Sequence, residues 1–329
     1  GEADVGTTEF EIEEEAGAYR HILMPPPAEL SVRVRDARGR LLPAKVSVVS
    51  DYPAEYQGQK PRDFLFDYWL GQRRRSTDFS WREGADGPGR FVERVLRTAD
   101  GHARGTVRPS RCGAVDSYWR PGERVADIAG DDCERLYDIY VSRGIEYTVD
   151  VYEDVRLRAG ELVELEATLE RVVDTTDYIS ADLHVHSRGS VDSFEPLTSQ
   201  ARQAAAEGLE ILVSTDHNYI TDYQPAIASV GVQDWVSSVT GVELTTLEMG
   251  HFNAFPLRYE VAPPSHFPFV DFCYPPRSEK TNRTGFDWVL CSPDQIFDQL
   301  RSLGAYGPDQ TIVQVNHPRD TILGYFNQF

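Results

Sequence analysis

YISADLHVHS, residues 178–187, decides how the second half of this chain is read. It is an apolar, strand-like run that carries two histidines one residue apart. Alternate side chains of a strand share a face, so His184 and His186 point the same way. A core strand has no need of two imidazoles on one face, whereas a metal site does.

Downstream the pattern alternates between strand and helix. EPLTSQARQAAAEGLE (195–210) reads as an Ala-rich helix closed by Gly208, and EILVSTDH (210–217) as the next strand. WVSSVTGVEL (235–244) and HFNAFPL (251–257) read as two more strands. SPDQIFDQLRSLG (292–304) carries full helix punctuation: Ser292 as N-cap, Pro293 at the first turn, Gln295 completing a capping box and Gly304 past the end. TIVQVNH (311–317) follows as a buried strand. This alternation predicts a parallel α/β domain over residues 178–329, as a barrel or an open sheet.

Upstream the rhythm is different. LSVRVRDARGRLLPAKVSVVS (30–50) alternates apolar and polar residues on both sides of DARGR, which predicts a β-hairpin. RFVERVLRTADGHARGTVRP (90–109) predicts a second hairpin around ADGH, and residues 135–173 supply three or four more strands. Short strands, turn signals and little helical periodicity predict an antiparallel β-sandwich over residues 28–172. Residues 1–27, ending in MPPP, read as a lead-in, and residues 51–90 as long loops.

The 329 residues carry a formal charge of −20. That average field repels nucleic acid, and the one basic stretch, GQRRRSTDFSWRE (71–83), reads as a solvated loop. No apolar run approaches the ~18 residues of a membrane helix. The chain begins at Gly1, as a processed product or fragment would. Cys112, Cys133, Cys273 and Cys291 show no zinc-knuckle spacing. Their local pairing in Pro- and Gly-rich stretches predicts disulfides Cys112–Cys133 and Cys273–Cys291, hence a secreted or periplasmic protein.

The polar residues of the second half gather at strand ends. Asp192 follows the His184–His186 strand, Asp216 and His217 end the second, and Glu243 ends the third. His251 begins the fourth and His317 ends the fifth. Barrels collect the ligands of a top-face site in this way. His21, His102 and His266 stand alone and read as ordinary exposed or satisfied side chains. Five of the eight histidines fall in the strand-end set, and that joint placement carries the metal reading.

Taken together, DLHVHS, TDHN (215–218), GVE (241–243), GHFN (250–253) and NHPR (316–319) resemble the PHP (polymerase and histidinol phosphatase) superfamily of metallohydrolases. Within it, GVELTTLEMGHFNAF and VNHPR are most similar to the carbaryl-hydrolase-like (CehA/McbA) branch, and the preceding β-rich region resembles the sandwich domain found ahead of such domains. The resemblance implies a distorted α/β barrel with two or three divalent metals (Zn, Mn or Fe). It implies that His184 and His186 hold one metal and that Glu243 bridges to a second, completed by His251 and His317. Asp192 and His217 would hold a third. Asp182 and Asp216 would orient neighbouring histidines, and Arg319 would stabilise charge developing on the substrate.

The closing Asp-x-His motif of that family does not follow His317, and the chain ends twelve residues later. The barrel is therefore expected to be C-terminally incomplete, with further polypeptide or another chain completing it. The implied function is metal-dependent hydrolysis of a small-molecule phosphoester, carbamate or carboxylic ester. The alternative is an extracellular structural, adhesive or assembly-forming protein that reuses the fold with an incomplete or inactive site.

Overall fold

The computed structural model describes residues 27–51, 90–107, 136–246, 249–259, 270–271, 286–288, 291–321 and 323–327. Nearly all of the expected lead-in over 1–27 and of the expected loops over 51–90 lies outside the described residues, as do Cys112, Cys133 and Cys273. The chain divides into two units, Gly1–Val172 and Val173–Phe329.

Alternation builds the first unit. In β1 (Ala28–Asp36), the side chains of Ala28, Leu30, Val32 and Val34 are buried while those between them are not. Ala44, Val46 and Val48 of β2 (Ala44–Asp51) are buried too, there together with Ser47 and Val49, and the alternation holds again for Tyr137, Ile139 and Val141 of β5 (Tyr137–Ser142). With β3 (Arg90–Thr98), β4 (His102–Val107), β6 (Asp150–Val155) and β7 (Leu162–Leu169), these strands form two sheets. The orders are β4-β1-β7 and β3-β2-β5-β6.

The expected hairpins prove to be corners. Around DARGR the chain turns, with Asp36 Oδ1 accepting the backbone N–H groups of Arg38 (2.9 Å) and Arg40 (2.8 Å). Pairing then stops at the bridge Arg35–Leu41, and β2 joins the other sheet. β3 and β4 likewise part after ADGH. Splitting each pair between sheets lets both apolar faces be covered, as where Leu96 of β3 fills the space left by Gly105 of β4. The unit is also not wholly antiparallel, because β1 and β7 run parallel from Glu29–Leu162 to Asp36–Leu169.

The second unit begins with a parallel sheet of order β10-β9-β8: β8 (Ala181–Val185), β9 (Ile211–Ser214) and β10 (Ser237–Val239). Helices α1 (Leu197–Ala206) and α2 (Gln224–Ser229) make the connections. α1 buries Ala201, Ala204, Ala205 and Ala206, small residues that allow close packing, and ends where Gly208 takes φ 75°.

Beyond β10 the expected barrel is corrected. β11 (Val242–Thr245), β12 (His251–Phe255) and β15 (Ile312–Val315) form a second three-stranded sheet, antiparallel throughout. Only residues 246–250 separate β11 from β12, too few for a crossover helix, so the pair runs antiparallel. The sheets meet at a single parallel bridge, His217–Glu243, and an antiparallel one, Thr221–Gly241. Among the described residues strand predominates over helix, and the strands form separate small sheets instead of a barrel wall.

A short pair, β13 (Val270–Asp271) with β14 (Phe286–Asp287), precedes α3 (Pro293–Ser302). The capping box of α3 forms, with Gln295 Oε1 accepting the Ser292 N–H at 2.9 Å. Its Ile296 and Leu300 pack with Val242, Leu244, Phe252 and Ala254 behind the second sheet. Cys291, buried beside this core, is disulfide-bonded. Neither expected cysteine pairing is seen among the described residues. No helix among them is long and apolar enough to cross a membrane.

Candidate metal centre

The junction of the two sheets is built from alternation. His184 of β8 and His186 just after it share a face, and His251 of β12 shares a face with Asn253. Glu243 of β11 is fully buried, with its N–H donated to the Asp216 carbonyl (3.2 Å) and its own carbonyl accepting the Asn218 N–H (2.9 Å). Those bonds stitch the TDHN turn to β11 and bring His217 over the Glu243 carboxylate. Asn218 supports the turn from the left-handed region at φ 53°, which its short polar side chain tolerates.

The Glu243 carboxylate has two poles. Oε2 lies 3.2 Å from His184 Nε2, 3.2 Å from His186 Nε2 and 3.1 Å from His217 Nδ1. Oε1 lies 3.1 Å from His251 Nδ1 and 3.6 Å from His317 Nε2, which are themselves 3.1 Å apart. On the solvent side, Asp192 sits 3.3 Å from His217 Nε2 and 3.5 Å from His186 Nδ1. Three overlapping ligand sets result: His184–His186–Glu243, His186–Asp192–His217 and His217–Glu243–His251. His317, at φ 24°, is held in a backbone conformation that costs a non-glycine residue energy.

Burial by itself would raise the Glu243 carboxyl, but its contacts with His184, His186, His251 and Asn316 hold it far below the usual carboxylate range. Burial would lower His186, yet Glu243 and Asp192 together raise it. Burial does lower His217, against the pull of the same two carboxylates. Asp192 is lowered despite partial burial, by a hydrogen bond from Ser190 and by the charges of His186 and His217.

One atom tests whether a cation fits. Glu243 Oε2 is buried, and although three ring nitrogens crowd it, none makes a hydrogen bond of proper geometry. A buried carboxylate oxygen left so is costly unless something else satisfies it. Nitrogens at about 3.2 Å that aim past the oxygen are placed as ligands sharing a cation would be. The donor set of imidazole and carboxylate suits a divalent ion of intermediate softness.

The structure thus brings His184, His186, Asp192, His217, Glu243, His251 and His317 together. It does not add Asp216, whose buried carboxylate accepts from the Ser187 N–H (2.5 Å), the Ser187 hydroxyl (2.7 Å) and the Thr221 hydroxyl. Asp216 therefore clamps two loops and orients no imidazole. Asp182 accepts the backbone N–H of His184 (3.0 Å), not its ring. Arg319 is exposed and lies over the Phe326 ring, 6.0 Å from its centroid.

Four contributors escape the sequence reading: Ser190, Thr245, Asn253 and Asn316. Ser190 Oγ lies 3.0 Å from His186 Nδ1 and donates to Asp192 (2.7 Å), while Thr245 Oγ1 bonds His217 Nδ1. Thr245 and Asn253 were discoverable, since each lies two residues beyond a ligand on the same strand face. Nothing in the sequence singles out Ser190.

No family model matches this chain, and no curated protein matches it. Solved structures that match include the Bacillus anthracis TIE protein, at 11% identity over 45% of this chain and 17% of that one, with a TM-score of 0.20. A minor pilin of Streptococcus agalactiae matches at 12% identity over 46% of this chain and 48% of its own, with a TM-score of 0.20. The shaft pilin SpaA of Lactobacillus rhamnosus GG matches at 11% identity over 49% and 52%, with a TM-score of 0.23. The chain thus spans from about a sixth to about half of these proteins. The expected PHP-superfamily membership is corrected accordingly: no family model supports it, and the strands of the second unit form separate small sheets instead of the barrel it implied. The comparisons give no support to a hydrolase or zinc-protein assignment.

Proposed function

We propose that the second unit carries a divalent-metal centre and that its chemistry is hydrolysis of an ester or phosphoester in a small molecule. The orphaned, fully buried Glu243 Oε2, ringed by three imidazole nitrogens at 3.1–3.2 Å, carries this reading. His184, His186 and the Oε2 pole would hold one ion, and His251, His317 and the Oε1 pole a second. Asp192 and the solvent-side nitrogens of His186 and His217 would hold a third. Bound Zn²⁺, Mn²⁺ or Fe²⁺ would supply a water acidified toward neutral pH and a Lewis acid for the substrate's oxygen.

The residues contribute the rest. Glu243 keeps its charge because the imidazoles and Asn316 stabilise the carboxylate form. Asp192, 52% exposed, places the outer set where a substrate arrives from solvent. The net charge of −20 disfavours polyanions, which points to a small substrate.

The test is metal content by mass spectrometry beside hydrolysis of para-nitrophenyl acetate and phosphate. The double variant His184→Ala/His186→Ala is expected to lose both metal and turnover. Full metal content in that variant would overturn the assignment.

A second reading has its own observation. Ile145, Val149 and Val151, at and just before edge strand β6 of the first unit, are exposed. Such an apolar edge invites pairing with another chain. On this reading the protein is an extracytoplasmic structural or assembly-forming one, and the metal centre only braces its second unit. Light scattering distinguishes them: a concentration-dependent oligomer, lost on Val149→Lys/Val151→Lys, would favour assembly.

A further inference from the structure

Two buried amides beside the cluster have no part in the ligand sets. Asn253 is 0% exposed on β12, and Asn316, 1% exposed, immediately precedes His317. Asn316 Nδ2 donates to Glu243 Oε1 (2.8 Å) and to Asn253 Oδ1 (2.6 Å). Asn253 Nδ2 donates to the carbonyl of Leu183 (3.1 Å), the residue before His184 on β8. Gln314 Nε2 donates to Asn316 Oδ1 at 3.3 Å. The amide orientations follow from chemistry, since a carboxylate only accepts and must face the NH₂ end of Asn316.

We propose that Asn316, backed by Asn253, is the positioning residue that fixes the Glu243 carboxylate between its two imidazole groups and so sets metal affinity. The inference rests on the metal-centre reading above. Four ligand-bearing segments come from different parts of the chain: β8, β11, β12 and the turn after β15. The two amides touch all four, through Leu183, Glu243, Asn253 and the residue next to His317. A carboxylate free to rotate about its Cγ–Cδ bond would lose the split between poles, and Asn316 removes that freedom. By holding one lone pair of Oε1, it leaves Oε2 open toward His184, His186 and His217. Outer partners of this kind tune metal sites by orienting the ligand without touching the ion.

The experiment compares this chain with Asn316→Leu, Asn316→Ala and Asn253→Ala. Mn²⁺ affinity is read by competition titration, and the unfolding midpoint with and without Mn²⁺. Asn316→Leu keeps the number and branching of side-chain heavy atoms and removes both donors, and about 10- to 100-fold weaker Mn²⁺ binding is expected, with a smaller loss for Asn253→Ala. A purely packing role would lower the midpoints with and without Mn²⁺ equally. A positioning role shrinks the Mn²⁺-induced increment itself. The visible spectrum of the Co²⁺-loaded variants should change as well, since ligand geometry has moved.

If the parent chain binds no Mn²⁺ or Co²⁺, the metal-centre reading fails. If the parent binds and the Asn316 variants match it within about twofold, the positioning role fails while the metal centre stands. Should the Asn316 variants not fold, Asn253→Ala decides alone. Its unchanged Mn²⁺ increment would overturn the proposal.

Discussion

Glu243 is fully buried, and the imidazoles and Asn316 around it favour its carboxylate form against that burial. Its folded pKa is lowered from an ordinary value near 4.5. It therefore adds stability above that value and loses it as pH falls through it toward the folded value. The metal-free chain is expected to weaken on acidification below about pH 4.5, and Glu243→Gln to flatten that slope, read by urea unfolding across the acid range. His186 works oppositely. Its raised pKa means that its contribution is complete below about 6.5 and fades as pH rises through the folded value. Because that proton competes with a cation, Mn²⁺ affinity should fall as pH drops through that raised value. Pulling the His186 pKa down, as Asp192→Asn should do by removing one carboxylate, is expected to move that loss to lower pH. A Mn²⁺ titration repeated across pH would show it.

Among the elements, α3 and the turn behind it hold the second sheet in place. Gly304 closes this helix under Thr311, and a Cβ there would lie 1.8 Å from Thr311 Oγ1 and 2.8 Å from the Gly307 carbonyl. The hydroxyl could swing aside, but the backbone carbonyl could not. Gly304→Ala is expected to destabilise by about 1–3 kcal/mol, seen as a lower urea midpoint with unchanged slope. Ser292→Ala, which removes only half of the capping box, should cost about 1 kcal/mol by the same measurement. Both punctuation marks were legible in SPDQIFDQLRSLG because caps are local: a few consecutive residues satisfy their own backbone groups. The corners of the first unit were not. DARGR turns as its sequence says, yet whether β2 returns to β1 or crosses to the other sheet depends on which apolar face needs cover.

For the molecule as a whole, metal and stability should be linked. Ligand segments far apart in sequence converge only in the folded unit, so an ion that binds there favours the folded state. Unfolding midpoints are expected to rise with the logarithm of Mn²⁺ concentration and to fall on chelation, by up to about 4 kcal/mol at a thousandfold excess over the dissociation constant. A midpoint indifferent to Mn²⁺ and to chelator would argue that the seven clustered side chains are merely a polar core.

The sequence by itself marked most of the strands, though it ran β10 and β11 together as one, and it marked the first helix with its glycine stop and the seven candidate residues near strand ends. Each of these rests on short-range regularities, the two-residue period of a strand and the chemistry of a cap. It also set the polar character of strand ends, which is why the histidines could be picked out before any contact was known. Only the tertiary structure decided how the strands group, because pairing direction follows from loop length and mutual burial. Five residues between β11 and β12 make a hairpin where a barrel would need a helix. It likewise decided that Asp216 ties loops together while Asn253 and Asn316 hold Glu243. A buried polar group is defined by the partner it reaches, and those partners lie 29, 63 and 73 residues away along the chain.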